Sequence, residues 1–157
     1  MASKPVPAPD LLALERQVCF ALAVANRSVL AVYRPILEPM GLTHPQYLVM
    51  LALWERSPRT VSEISRALQF DPATLSPLLK RLESAGLVTR SRNADDERQV
   101  HIELTAAGRR LRSKAERVPP AVVERLGIDL AELEELRNAL NRLNAAARIA
   151  LGDPPPA

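Results

Sequence analysis

Between Asp71 and Gly86 the chain repeats Leu75, Leu78, Leu79 and Leu82 at helical spacing. The opposite face of that helix offers Thr74, Ser76, Pro77, Lys80 and Arg81. Short hydroxyls and a forked guanidinium suit base edges, an ammonium suits phosphate, and a proline ring can touch a thymine methyl. Thr74 and Ser76 fall near the helix N-terminus, where a helix docked in a major groove meets the bases. Lys80 and Arg81 are placed for phosphates, or for a guanine in the case of Arg81. Taken alone, the same face also fits an ordinary amphipathic surface helix.

A second group follows in the loop Asn93-Ala94-Asp95-Asp96-Glu97-Arg98. Acidic groups are unhelpful beside phosphate unless they organise a base. Arg98 is two residues from Asp96, close enough for a carboxylate–guanidinium fork that stiffens a hairpin tip. A stiffened arginine at such a tip fits a narrow A·T-rich minor groove. The alternative is a plain surface ion pair of little energetic weight. Arg90 and Arg92 on the adjoining strand would track the DNA backbone. A third candidate is Cys19, the single cysteine. A lone cysteine on an apolar helix usually fills space; a sensor needs a thiol made acidic by donors or positive charge and open to peroxide. No metal-ligand or nucleotide-binding spacing appears, so no metal and no cofactor are expected.

Strong local signals place these groups. Asp71-Pro72 starts the recognition-type helix with a capping carboxylate and a proline at the first helical position, and Gly86 stops it. Pro77 predicts a local bend. Thr60 and Glu63 form a capping box for a preceding helix, Val61 to Leu68. Leu87–Ser91 and Gln99–Leu104 read as two ribbon strands. Upstream, Asp10 is expected to cap a long helix to about Tyr33, which Pro35 ends or bends. Thr43 with Gln46 opens another helix, from Pro45 to about Glu55. Downstream, Thr105 caps a helix to about Val118, where Pro119-Pro120 stop it. Asp129 and Glu132 box a final helix to Leu151, with Leu130, Leu133, Leu136, Leu140 and Leu143 as its stripe.

The predicted fold is therefore mainly α with a small β-ribbon wing. It is a winged helix-turn-helix region at 56–104, flanked by dimerisation helices at 10–55 and 105–151 in one domain spanning 10–151. The proline-bearing ends, 1–9 and 152–157, are expected to be disordered tails. Charge agrees with this division. Residues 56–114 hold 12 basic and 7 acidic side chains, net +5, whereas 1–55 are balanced at 4 and 4 and 115–157 hold 5 and 7, net −2. Clustered positive charge favours a polyanion, although a solvated basic face has the same signature. No apolar run is expected to reach the roughly 20 residues of a membrane span, and no signal peptide is evident, so a cytoplasmic location without membrane association is the default. Surplus apolar surface on both terminal helices predicts a homodimer.

Asp71 to Gly86, the ribbon ending Asp96-Glu97-Arg98-Gln99-Val100, and Leu104-Thr105-Ala106-Ala107-Gly108 resemble the MarR family of winged-helix repressors. The resemblance covers roughly Leu11 to Leu151. It implies a triangular homodimer with intertwined terminal helices that binds a palindromic operator in double-stranded DNA and releases it on a signal. Cys19-Phe20-Ala21-Leu22, Tyr33-Arg34-Pro35, Leu42-Thr43, Pro45 to Met50 and Leu53-Trp54-Glu55 resemble the OhrR subgroup, which senses organic hydroperoxides through a cysteine at the Cys19 position. That subgroup's thiolate is hydrogen-bonded by two tyrosines of the partner subunit. One carries over to Tyr33; the other falls at His44, a departure, and a further tyrosine common nearby is replaced by Ala23.

A neutral imidazole can donate like a phenol, and a protonated one favours thiolate more strongly. The change at His44 is equally consistent with altered sensing, or with a helix-entry residue facing solvent. With one cysteine, oxidation implies sulfenic acid and then a mixed disulfide with a low-molecular-weight thiol. Three other readings compete. They are a repressor released by a non-covalent phenolic ligand, a peroxidase or hydrolase using Cys19 and His44, and a helical dimer that has lost DNA binding.

Overall fold

The computed structural model describes residues 10–92, 96 and 99–152. Among these residues seven α-helices and three short strands follow in the order α1 (Val18–Leu37), α2 (His44–Glu55), β1 (Arg59–Thr60), α3 (Val61–Leu68), α4 (Pro72–Ser84), β2 (Val88–Arg92), β3 (Val100–Leu104), α5 (Ala106–Ala115), α6 (Val118–Leu126) and α7 (Leu130–Leu151). The expected ribbon is β2 paired antiparallel with β3, from Val88 opposite Leu104 to Arg92 opposite Val100. A third strand, without a signal in the sequence, completes the sheet: β1 lies on the other side of β3, with Thr60 opposite His101. Two residues are too few for an alternating pattern; the pairing exists because β3 offers an open edge.

Three helix ends differ from expectation. Asp10 does not cap α1. Its carboxylate accepts the Leu12 N–H at 2.9 Å, a local turn, and a single 3-10 turn at Leu14–Arg16 intervenes before the helix starts at Val18. Nor does Pro35 end α1. The helix runs on to Leu37, and the Glu38 N–H bonds the Arg34 carbonyl, because proline removes only its own donor and the next donors carry on. Finally, Pro119-Pro120 open α6 rather than closing α5, which ends at Ala115. In a first turn their missing N–H groups have no helical partner to lose.

The core sits where α2, α3, α4 and the sheet converge. Met50, Leu53, Ile64, Leu75, Leu79, Leu82, Val88 and Ile102 are essentially sealed from solvent. Both caps foreseen for the helix pair are present. The Glu63 N–H reaches Thr60 Oγ1 at 3.1 Å while Thr60 N–H reaches Glu63 Oε2 at 2.7 Å, and the Thr74 N–H reaches Asp71 Oδ1 at 2.8 Å.

The Thr105–Gly108 turn locks the wing to the helices. Thr105 Oγ1 accepts the Gly108 N–H at 3.0 Å and donates to the Gly86 carbonyl at 2.6 Å, and Thr105 N–H bonds the Leu87 carbonyl at 3.0 Å. Trp54 Nε1 donates to the Gly108 carbonyl at 2.9 Å. A Cβ at Gly108 would lie 2.1 Å from the Leu87 carbonyl oxygen, so this approach of helix to strand needs glycine.

The ends of the chain behave differently from its middle. α7 buries no side chain, and Leu130, Leu136 and Leu143 are 62%, 53% and 42% exposed. On α1, Val18, Phe20, Leu22 and Val24 are exposed as well. The stretch Val18–Met40 is long and apolar enough, by length and composition, to cross a membrane, which corrects the expectation that none is. Its apolar face is unusually open, yet the helix packs against α2 and α6.

Candidate DNA interface and thiol site

α4 presents its two faces as the leucine spacing requires. Leu75, Leu79 and Leu82 are buried, while Thr74, Ser76, Pro77, Lys80 and Arg81 are all exposed on the other side. Asp71 holds the first turn with both oxygens, taking the Thr74 N–H on one and the Thr74 hydroxyl on the other at 3.0 Å. These bonds hold the Asp71 carboxyl below its usual range, the backbone bond from Thr74 foremost. Thr74 therefore offers a methyl and acceptor lone pairs outward, its proton being engaged.

The wing residues divide. Arg92 is exposed at the end of β2. Arg90, expected to follow the DNA backbone, instead turns back onto α4: Nε lies 3.4 Å from Glu83 Oε2 and Nη2 donates to the Ser76 carbonyl at 3.4 Å. The Asp96 carbonyl accepts the Gln99 N–H at 3.0 Å at the foot of the loop. Arg98, and with it the Asp96–Arg98 fork, lies outside the described residues.

One feature on this side has no counterpart among the sequence motifs. A cleft of about 780 Å³ lies between α3, the start of α4 and the start of β3, with Ser62, Arg66, Pro72 and Gln99 among its walls. The signal present was Ser62 and Arg66 at i and i+4, one exposed stripe of a helix valued only for its inward residues.

At the other end of the molecule, Cys19 is exposed in the first turn of α1. Tyr33 lies fourteen residues on, so the two are about 21 Å apart along the helix axis at 1.5 Å per residue. Within one chain, Cys19 is not brought to Tyr33. Tyr33 and His44 do meet, their rings edge-on with centroids 4.9 Å apart. Tyr47 stands 6.2 Å from Tyr33 and 6.5 Å from His44, and Trp54 continues the row 6.4 Å from Tyr47. Burial lowers the His44 pKa and raises that of Tyr33, so near pH 7 a neutral imidazole and a neutral phenol face each other. Each retains a polar N–H or O–H to donate.

An exposed polar and basic helix, a β-wing beside it and a core that fixes their angle define a winged-helix DNA-binding protein. Residues 31–115 match the family described as transcriptional regulator SarA/Rot. The chain is 40% identical over 134 residues to the organic hydroperoxide resistance transcriptional regulator of Bacillus subtilis, covering 85% of this chain and 91% of that one. Among solved structures it is similar to reduced AbfR bound to DNA, with 35% identity, a TM-score of 0.77, and 88% and 94% of the two chains covered. It is also similar to CouR of Rhodococcus jostii RHA1 bound to p-coumaroyl-CoA, with 27% identity, a TM-score of 0.71, and 84% and 94% covered. The chain belongs to the SarA/Rot family of MarR-type winged-helix transcriptional regulators. Members are DNA-binding regulators rather than enzymes, which overturns the peroxidase or hydrolase reading of Cys19 and His44.

Proposed function

We propose that this protein is a cytoplasmic homodimeric repressor that holds a palindromic operator and releases it when an organic hydroperoxide oxidises Cys19. The observation that carries this reading is the separation within α1. Cys19 lies in the first turn of α1, and Tyr33 lies toward its other end, where it meets His44 at the start of α2, while the apolar face of α1 is uncovered. A second copy laid antiparallel along α1 covers that face and sets each thiol over the other copy's Tyr33 and His44. The 40% identity to a hydroperoxide resistance regulator supports the same assignment. The exposed stripes of α1 and α7 thus serve a protein partner and not a lipid bilayer, with 10–55 and 105–151 as the dimerisation helices and 56–104 as the DNA-binding region.

The phenol and imidazole donors stabilise the thiolate. Its sulfur attacks the hydroxyl-bearing peroxide oxygen, the O–O bond breaks, the leaving alkoxide takes a proton from water to depart as the alcohol, and sulfur is oxidised to sulfenic acid as the peroxide is reduced. A low-molecular-weight thiol then forms a mixed disulfide with loss of water. The added bulk at the dimer helices moves the two copies of α4 off their half-site spacing of about 34–36 Å. In the bound state Thr74, Ser76, Pro77 and Arg81 meet bases, Lys80 and Arg92 meet phosphates, and Arg98 beside Asp96 enters the minor groove.

A binding assay on the DNA upstream of its own coding sequence tests this, with and without organic hydroperoxide. Wild type releases the DNA and Cys19→Ser does not; equal release by both would end the proposal. A second reading, release by a non-covalent aromatic ligand, draws on the likeness to CouR with its bound p-coumaroyl-CoA. Mass spectrometry separates the two: a covalent gain at Cys19 accompanies release under the first and is absent under the second.

A further inference from the structure

The cleft of about 780 Å³ between α3 and the foot of the wing adjoins the start of α4, and neither the leucine pattern nor the family match assigns it a task. Its walls are informative. Pro72 is the first residue of α4, and Gln99 and Val100 form the foot of the wing. A duplex engaging both the exposed face of α4 and the wing therefore passes across this cleft.

The donors in it are suited to a phosphodiester. Arg66 and Ser62 stand one turn apart on α3, both exposed, and Gln99 is exposed across from them. Arg66 makes no ion pair among the described residues. Among the described residues the carboxylate in the cleft wall is Glu63, and it is occupied: Oε1 takes Arg56 Nη2 at 2.7 Å and Oε2 takes the Thr60 N–H at 2.7 Å. An anion entering the cleft thus meets a guanidinium, a hydroxyl and an amide, with the nearby negative charge already paired.

We propose that Arg66, with Ser62 and Gln99, forms a clamp for a DNA backbone phosphate between the first helix of the pair and the wing. It rests on the DNA-binding reading and adds a contact outside α4 and the β2–β3 tip. A phosphate held on both sides fixes how far α4 slides along the groove. Arg66 is the main anchor because its planar fork can take two phosphate oxygens at once.

The test is the salt dependence of binding to the upstream duplex and to a duplex of unrelated sequence. Each phosphate that the protein neutralises adds about 0.9 to the slope of log K against log salt. Arg66→Ala should lower the slope by about that amount per bound protomer on both duplexes alike, since a phosphate carries no sequence information. Arg66→Lys should keep most of the slope, and Arg125→Ala on α6 all of it. Should Arg66→Ala, folded as judged by its thermal transition, keep the wild-type slope on both duplexes, the clamp is overturned while DNA binding stands. A wild type that bound neither duplex would overturn the DNA-binding reading and the clamp together.

Discussion

The imidazole of His44 meets the ring of Tyr33 edge-on at 4.9 Å, and burial holds its pKa below the ordinary 6.5. The unfolded chain accepts a proton near 6.5 that the folded chain resists. In the window beneath 6.5 the unfolded state therefore binds more protons, so stability rises with pH there. This contribution is fully present above about 6.5 and is lost as pH falls toward the folded value. Urea unfolding of wild type and His44→Gln between about pH 5 and pH 8 should show the two profiles diverging only at the acid end, wild type losing more. Parallel profiles would remove His44 as the source.

The glycine of the Thr105–Gly108 turn gives a structural prediction. An alanine methyl at 108 would meet the Leu87 carbonyl oxygen at 2.1 Å, and the obstacle is backbone, not a side-chain end that can swing aside. Overpacking of this kind costs about 1–3 kcal/mol, and a fixed obstacle argues for the upper end. Thermal unfolding of Gly108→Ala should fall by about 6–12 °C, taking about 2–4 °C per kcal/mol for a chain of this size. Trp54, the single tryptophan, donates to the Gly108 carbonyl and reports the shift by fluorescence. An unchanged midpoint would show that helix and strand part without cost.

The features that were legible in the sequence are those with local causes. Asp71-Pro72, Thr60 with Glu63, and the leucines of α4 each act within one or two turns, and residue type alone places each of them. Asp10 has the same local chemistry and gives a turn instead, because residues 11–17 bury no side chain and so have no packed face to hold a helix there. β1 has no periodicity of its own and exists through its partner. Arg90 departs from expectation for a related reason. An arginine alternating outward on a strand looks solvent-bound until the fold puts Glu83 within 3.4 Å. The separation of Cys19 from Tyr33 is present in the numbering itself, since a straight helix turns fourteen residues into distance.

Gln69 ends α3 in the left-handed region, at φ 53°, without being glycine. A side chain there costs roughly 1 kcal/mol against glycine, through the crowding of Cβ on the following carbonyl. Gln69→Gly should raise the melting midpoint by about 2–4 °C at equal protein concentration. A fall in the midpoint would mean that the Gln69 side chain makes a contact worth more than the backbone relief.

Arg81 and Lys80 are neighbours on α4 with different expected duties. Removing a guanidinium from a base edge costs about 1–3 kcal/mol and relaxes preference at one position of each half-site. Removing an ammonium from phosphate weakens all sequences alike and lowers the salt slope by about 0.9 for each phosphate left bare. Binding of wild type, Arg81→Ala and Lys80→Ala to a panel of single-base variants of the upstream site separates these. If both variants lost affinity uniformly, Arg81 would be a backbone contact as well.

α7 offers a test of assembly that does not confuse dimer loss with unfolding. It buries none of its side chains within its own chain, so a change on its apolar stripe removes nothing from the monomer's core. Leu136 and Leu143 lie seven residues apart on one face and are about half exposed. A carboxylate placed at each would be desolvated without a partner in a dimer and would be solvated in a monomer. Leu136→Glu/Leu143→Glu should sediment at half the wild-type mass near 17.3 kDa while its circular dichroism still shows a helical chain. The same variant should lose most of its affinity for a two-half-site duplex, because each protomer would then bind alone. A dimer mass surviving both substitutions would place the interface elsewhere, and with it the partner that brings Tyr33 and His44 to Cys19.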